Sequence, residues 1–155
     1  MYDVTVKPFA GAHLAVMPHK GSYQRIGAAF EQMSMWMAKH RMFGADTKMI
    51  GVYLDDPDAV AEADLRSYAG FTVPASFKAS DGVEAFTLAP GHVASVVHKG
   101  PYAELPRAYA HLYAVWLPTS GREPANTPCF ETYLNNPAQL PPTEWLTEVA
   151  LPLKT

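Results

Sequence analysis

One glutamate in the second half of the chain stands among cysteine, phenylalanine and tyrosine. The segment Cys129-Phe130-Glu131-Thr132-Tyr133 reads as a strand. With side chains alternating at a period of two, Cys129, Glu131 and Tyr133 share one face, while Phe130, Thr132 and Leu134 share the other. Taking a lone carboxylate out of water is costly enough that it acquires a cation or hydrogen-bond donors, or changes its pKa. Such a group serves either as a charge anchor for a cationic ligand or as a general base. A glutamate at a strand edge, solvated or bridged to Lys or Arg, accounts for the same residues, and both readings stay open.

Tyrosines gather at matching places around that segment. Tyr23 and Tyr102 open the two helices, Tyr53 and Tyr133 lie in two strands, and Tyr109 and Tyr113 lie on the second helix. An aromatic face attracts a cation by about 0.5 to 2 kcal/mol, and Met33, Met35 and Met37 offer an adaptable apolar wall. A methionine or aromatic stripe at helical spacing is also what a packed core requires, and Phe30, Met33, Leu112 and Trp116 are assigned mostly to the core.

Other chemistries find less support. Six histidines are present, but His13 and His92, like His19 and His98, occupy equivalent places in two halves, without the closely spaced Cys or carboxylate partners of a metal site. No metal and no cofactor is expected. There is no GxSxG element, Cys129 has no sequence-local activating partner, and no glycine-rich phosphate loop occurs.

The elements that hold these residues come in duplicate. HLAVMPHKGSY, His13 to Tyr23, returns as HVASVVHKGPY, His92 to Tyr102, at an offset of 79 residues. Further on, GVYLDDP from Gly51 matches ETYLNNP from Glu131 at an offset of 80, which sets Gly51 against Glu131. In the first half Ile26, Phe30, Met33 and Met37 form one helical face ending near His40-Arg41. In the second, Leu105, Tyr109, Leu112 and Trp116 do so, with Pro106 in the first turn and Pro118 closing the helix. Strands follow at 50–54 and 67–73, and at 129–134 and 147–151. The first strand of each half is expected to break near Pro8 and near Pro90, and 75–82 connects the halves. Two modules of strand, helix, strand, strand, about 1–77 and 80–155, are too small to be robust alone. The expectation is one domain, 1–155, of α+β class: an antiparallel sheet with helices on one face, built as a tandem pseudo-twofold repeat.

Bulk properties narrow the function. The chain is 48% hydrophobic and only 17% charged, against a usual figure of about a quarter charged, without a run long enough to span a bilayer. A net charge of −3 and no Lys/Arg cluster argue against direct nucleic-acid binding. A single cysteine permits no internal disulfide, and the acidic Asp3 near the start argues against a secretory signal. A cytoplasmic protein is expected, with no membrane association.

The stretch HKGPYAELPRAYAHLYAVWL, followed by PCFETYLNNP and LTEVALPLK, resembles the GyrI-like superfamily. This superfamily includes the effector-binding domains of AraC-type and MerR-type multidrug regulators and their stand-alone relatives. FEQMSMWM, GVYLDDPDAVAEADLRSYAGFTVP and PCFETYLNN are similar to the stand-alone DNA gyrase inhibitory branch. The resemblance covers nearly the whole chain and implies two strand-helix-strand-strand (SHS2-like) modules with a ligand cleft between them. It implies that Glu131 recognises an amphipathic, cationic or electrophilic molecule, with Tyr133 at the second motif position and Tyr53, Tyr23, Tyr102 and Trp116 as further ligand-binding candidates, to which the residue pattern itself adds Met33 and Met37 as apolar wall. Two alternatives come with it: hydrolysis of cyclopropanoid DNA-alkylating compounds with Glu131 as catalytic base, and inhibition of DNA gyrase by protein contact. No DNA-binding module is read in the chain, so a transcription factor is not expected.

Overall fold

The computed structural model describes residues 2–155. In chain order it holds β1 (Thr5–Phe9), β2 (Ala12–Lys20), α1 (Gly27–Lys39), β3 (Met49–Tyr53), β4 (Arg66–Thr72), β5 (Glu84–Leu88), β6 (Gly91–Lys99), α2, β7 (Cys129–Tyr133) and β8 (Leu146–Leu153). Helix α2 is composite: α-helical over Leu105–Ala110, a π turn over His111–Trp116, then α-helical over Leu117–Ser120. The class is α+β, with antiparallel strand pairs. Among the described residues no helix is long and apolar enough to cross a membrane.

The chain divides into two compact units. One is Gly11–Leu88, whose sheet runs β3-β4-β2-β5 and carries α1 against β2 and β4. The other joins Met1–Ala10 to Ala89–Thr155, with the sheet order β1-β6-β8-β7 and α2 against β6. The outer strand of each unit therefore comes from the other half of the sequence. β1 pairs with β6, Thr5 opposite Ser95, although only Ala10 and Gly11 separate it from β2. Likewise β5 pairs with β2, Leu88 opposite Ala12, although only Ala89 and Pro90 separate it from β6. The break expected near Pro90 falls there. Pro8 instead lies inside β1, opposite His92, on the outer strand of its unit, the kind of strand to which proline is confined in sheets.

The stripe of α1 is buried as its spacing requires: Ile26, Phe30, Met33 and Met37 all lie in the core, the two methionines at 0% exposure. Each such side chain contributes about 1.5 to 3 kcal/mol through burial. The helix ends at His40 and Arg41, the latter in the left-handed region at φ 54, with Lys39 in the last turn suiting the negative end of the dipole. In the second unit the core is Ala94, Val96, Leu105, Ala108, Leu112, Val149, Leu151 and Leu153. Trp116 packs against that core while only partly buried.

Two prolines behave differently from the sequence expectation. Pro118 does not close α2; the helix continues to Ser120 and ends at Gly121, φ 72. The N–H of Leu117 bonds to the carbonyl of Leu112, five residues back, and this wider turn gives the proline ring room that an α-helical turn would deny it. Strand β8 likewise runs on past Leu151 through Pro152, opposite Val93, to Leu153.

Candidate functional site

Strand β7 buries both of its faces. Phe130 and Thr132 lie on one, at 4% and 9% exposure, with the Phe130 ring 4.9 Å from that of Phe9. Glu131, at 4% exposure, lies on the other, opposite Val149 of β8. A carboxylate so placed has lost its hydration and needs donors. Tyr109 of α2 donates its phenol hydrogen to Oε2 at 2.6 Å, and Tyr133, two residues along the strand and on the same face, donates to Oε1 at 2.9 Å. Hydrogen bonds to an ionised acceptor are the short, strong ones.

One step along the same face, the Tyr113 hydroxyl lies 3.2 Å from the sulfur of Cys129. Burial pushes the Cys129 thiol above its ordinary value; the Tyr113 hydroxyl works the other way, and the charge of Glu131 adds to the rise. Tyr102 meets Tyr133 edge-on at 5.4 Å and lies 4.4 Å from the ring of Trp145. Its phenol is also raised, by burial first and the Glu131 charge second. The negative charge of Glu131 thus acts on its neighbours on both sides. A carboxylate flanked by aromatic rings attracts cations, and the less water surrounds it the less that attraction is screened.

The expected alternation along the strand therefore places Cys129, Glu131 and Tyr133 as the sequence suggests, and Tyr102 joins them. Trp116 lies on the same helix as Tyr109, against the core of that unit. The remaining candidates lie in the unit Gly11–Leu88. Tyr23 and Tyr53 meet edge-on at 4.8 Å, but the Tyr23 hydroxyl is committed to the turn after β3, donating to the Asp55 carbonyl at 2.7 Å and accepting from the Asp55 N–H at 2.9 Å. Burial raises its pKa in turn. Met33 and Met37 are wholly enclosed beneath α1.

Tyr109 is the partner that the sequence reading did not single out. Its signal was present: Phe30 stands at the Tyr109 position of the first half, and Gly51 at the Glu131 position. Carboxylate and helix hydroxyl are thus absent from one half together and present in the other together.

Residues 2–154 match the GyrI-like small molecule binding domain, and the chain belongs to that family. A DNA gyrase inhibitor of Edwardsiella piscicida is 28% identical over 157 residues, covering 98% of this chain and 98% of that protein. The crystal structure of the EcmrR C-terminal domain superposes with a TM-score of 0.81 at 18% identity, over 100% of this chain and 99% of that one. The structure of SAV2435 bound to tetraphenylphosphonium gives a TM-score of 0.67 at 13% identity, over 98% and 94%. The two structural similarities are similarities of fold.

Proposed function

We propose that this GyrI-like protein binds an amphipathic organic cation, with Glu131 as the charge that recognises it. One observation carries the reading: a carboxylate at 4% exposure whose two oxygens each accept a tyrosine hydroxyl, in an aromatic setting. Tyr102 and Tyr133 supply ring surface beside the charge, and a protein of the same fold is bound to tetraphenylphosphonium. The chain acts in this reading by sequestering or sensing its ligand in the cytoplasm.

The test is calorimetric titration with tetraphenylphosphonium and with a neutral aromatic of similar size. Glu131→Gln is expected to weaken the cation by about 1.5 to 3 kcal/mol, the scale of a charge-assisted contact, and to spare the neutral compound. Equal cation affinities in the two proteins would remove Glu131 from the recognition.

A second reading has its own support, since the Edwardsiella piscicida relative that aligns along 98% of the chain is a DNA gyrase inhibitor. Here the partner is gyrase itself, met through an exposed face. A supercoiling assay decides it: inhibition that persists in Glu131→Gln supports protein contact, and supercoiling unaffected by the wild-type chain excludes it.

A further inference from the structure

The two halves of the sequence fall out of step by one residue, and the structure shows where. Before the helices they match at an offset of 79: the short 3-10 turns Tyr23–Arg25 and Tyr102–Glu104 correspond, and His19 and His98 each bond through Nε2 to the carbonyl three residues on, Ser22 and Pro101. After the helices they match at 80. Arg41 and Gly121 both end their helices at positive φ, and Tyr53 corresponds to Tyr133. The loops between, 41–48 and 121–128, are equal in length, so the step lies within the helix.

Helix α1 is regular over its 13 residues, whereas α2 contains the π turn His111–Trp116. A π turn is how an α-helix absorbs one additional residue. Leu112 still matches Met33 at 79, both at 0% exposure, while Trp116 matches Trp36 at 80. Between those two matches stand Tyr113, Ala114 and Val115 against only Ser34 and Met35, so the added residue falls within 113–115.

On the reading that Glu131 is the ligand's charge partner, we infer that this insertion makes Tyr113 a further specificity-determining residue, held over β7 in line with Tyr109 by the π turn. The geometry fits. Four helical residues rise about 6 Å and two strand residues about 6.7 Å, so Tyr109 and Tyr113 reach Glu131 and Cys129 in register when their row runs parallel to the strand. In an unbroken α-helix a residue four positions on is rotated by about 40°, and the row slants away; a wider turn takes that rotation back. Both contacts are made, Tyr109 to Glu131 at 2.6 Å and Tyr113 to Cys129 at 3.2 Å. Tyr113 is 44% exposed, against 4% for Glu131, so the pair spans from the surface to the enclosed charge. The half with the insertion is also the half with the carboxylate and its helix hydroxyl. The ligand class that fits is an organic cation bearing an aryl arm, charge at Glu131 and ring at Tyr113.

The sole cysteine reports the positioning directly. In Tyr113→Phe the hydroxyl that favours the Cys129 thiolate is gone, so the pH profile of Cys129 alkylation by iodoacetamide shifts to higher pH. Deleting Ala114, which restores an unbroken helix, is expected to produce the same shift. Tyr113→Ala and the deletion are each expected to weaken tetraphenylphosphonium roughly two- to thirtyfold, the range of one aromatic contact to a cation. A folded deletion variant with the wild-type alkylation profile would overturn positioning by the π turn. If the deletion does not fold, an unshifted profile in Tyr113→Phe overturns it instead. Tetraphenylphosphonium bound equally by wild type and Tyr113→Ala, but weakly by Glu131→Gln, would remove Tyr113 from recognition while leaving Glu131 in place. Failure of the wild type to bind the cation at all would sink the ligand reading and the specificity role with it; shifted alkylation profiles would still support the positioning.

Discussion

Tyr109 and Glu131 are 22 residues apart in sequence and 2.6 Å apart at their oxygens, the helix hydroxyl donating to a carboxylate on a residue only 4% exposed. Removing the donor leaves the acceptor enclosed and short of a partner. Tyr109→Phe is therefore expected to lower stability by about 1.5 to 3 kcal/mol, read as a lower urea midpoint at unchanged slope. In a double-mutant cycle with Glu131→Gln, the two changes are expected to couple by about 0.5 to 3 kcal/mol. A Tyr109→Phe protein as stable as wild type would show that the bond contributes nothing net.

The Glu131 charge is also expected to be visible in a neighbour's titration. Tyr102 ionises above the ordinary tyrosine value of 10.0, because burial disfavours its phenolate and the nearby carboxylate adds repulsion. Glu131→Gln removes only the second cause. Alkaline difference spectra should show the Tyr102 transition moving down towards, but not reaching, the ordinary value. No movement would mean that the carboxylate's charge is not felt there.

A close approach in the other unit sets up a size test. A Cβ on Gly70 would come within 2.8 Å of Val16 Cγ1 and 3.2 Å of the Ala15 carbonyl. The equivalent pair in the second half is Ala150 opposite Ser95: a residue larger than Gly70 is there met by one smaller than Val16. Gly70→Ala is expected to cost about 1 to 3 kcal/mol through overpacking. Adding Val16→Ala should recover part of that loss, and a Gly70→Ala protein that melts like wild type would contradict the crowding.

Acid titration isolates one ion pair. Both Asp55 oxygens engage the Arg66 guanidinium, at 2.9 and 3.1 Å, and this contact holds the carboxyl below the ordinary value of 3.8. Because the folded value is the lower one, the pair's contribution is complete above 3.8 and fades as pH falls through the folded value. The denaturation midpoints of wild type and Asp55→Asn should differ at neutral pH and converge below 3.8. A difference that survives in strong acid would show that ionisation is not what Asp55 contributes. Asn135, at the matching place in the second half, accepts from the Leu146 N–H as Asp55 accepts from the Arg66 N–H, so the substituted turn has a working precedent within the chain.

Local patterns carried much of this structure. The stripe of α1 and the shared face of Cys129, Glu131 and Tyr133 follow from periodicity, which needs no knowledge of distant partners. The pairing of β1 with β6 does not, because nothing in a five-residue strand states which edge will receive it. Tyr109 was visible as an aromatic on a helix, yet its role depends on how closely that helix approaches β7. The π turn was obscured for a specific reason. The sequence reading ended the helix at Pro118, whereas a widened helical turn carries it past that proline and takes up the one-residue step.

The exchange of outer strands bears on how the duplicated chain can be taken apart. A cut between residues 79 and 80, where the repeat itself suggests one, would leave each fragment holding an edge that completes the other's sheet and lacking its own. Each fragment would thus depend on its counterpart to cover an open sheet edge, which ties the two copies of the repeat to one polypeptide or to joint synthesis.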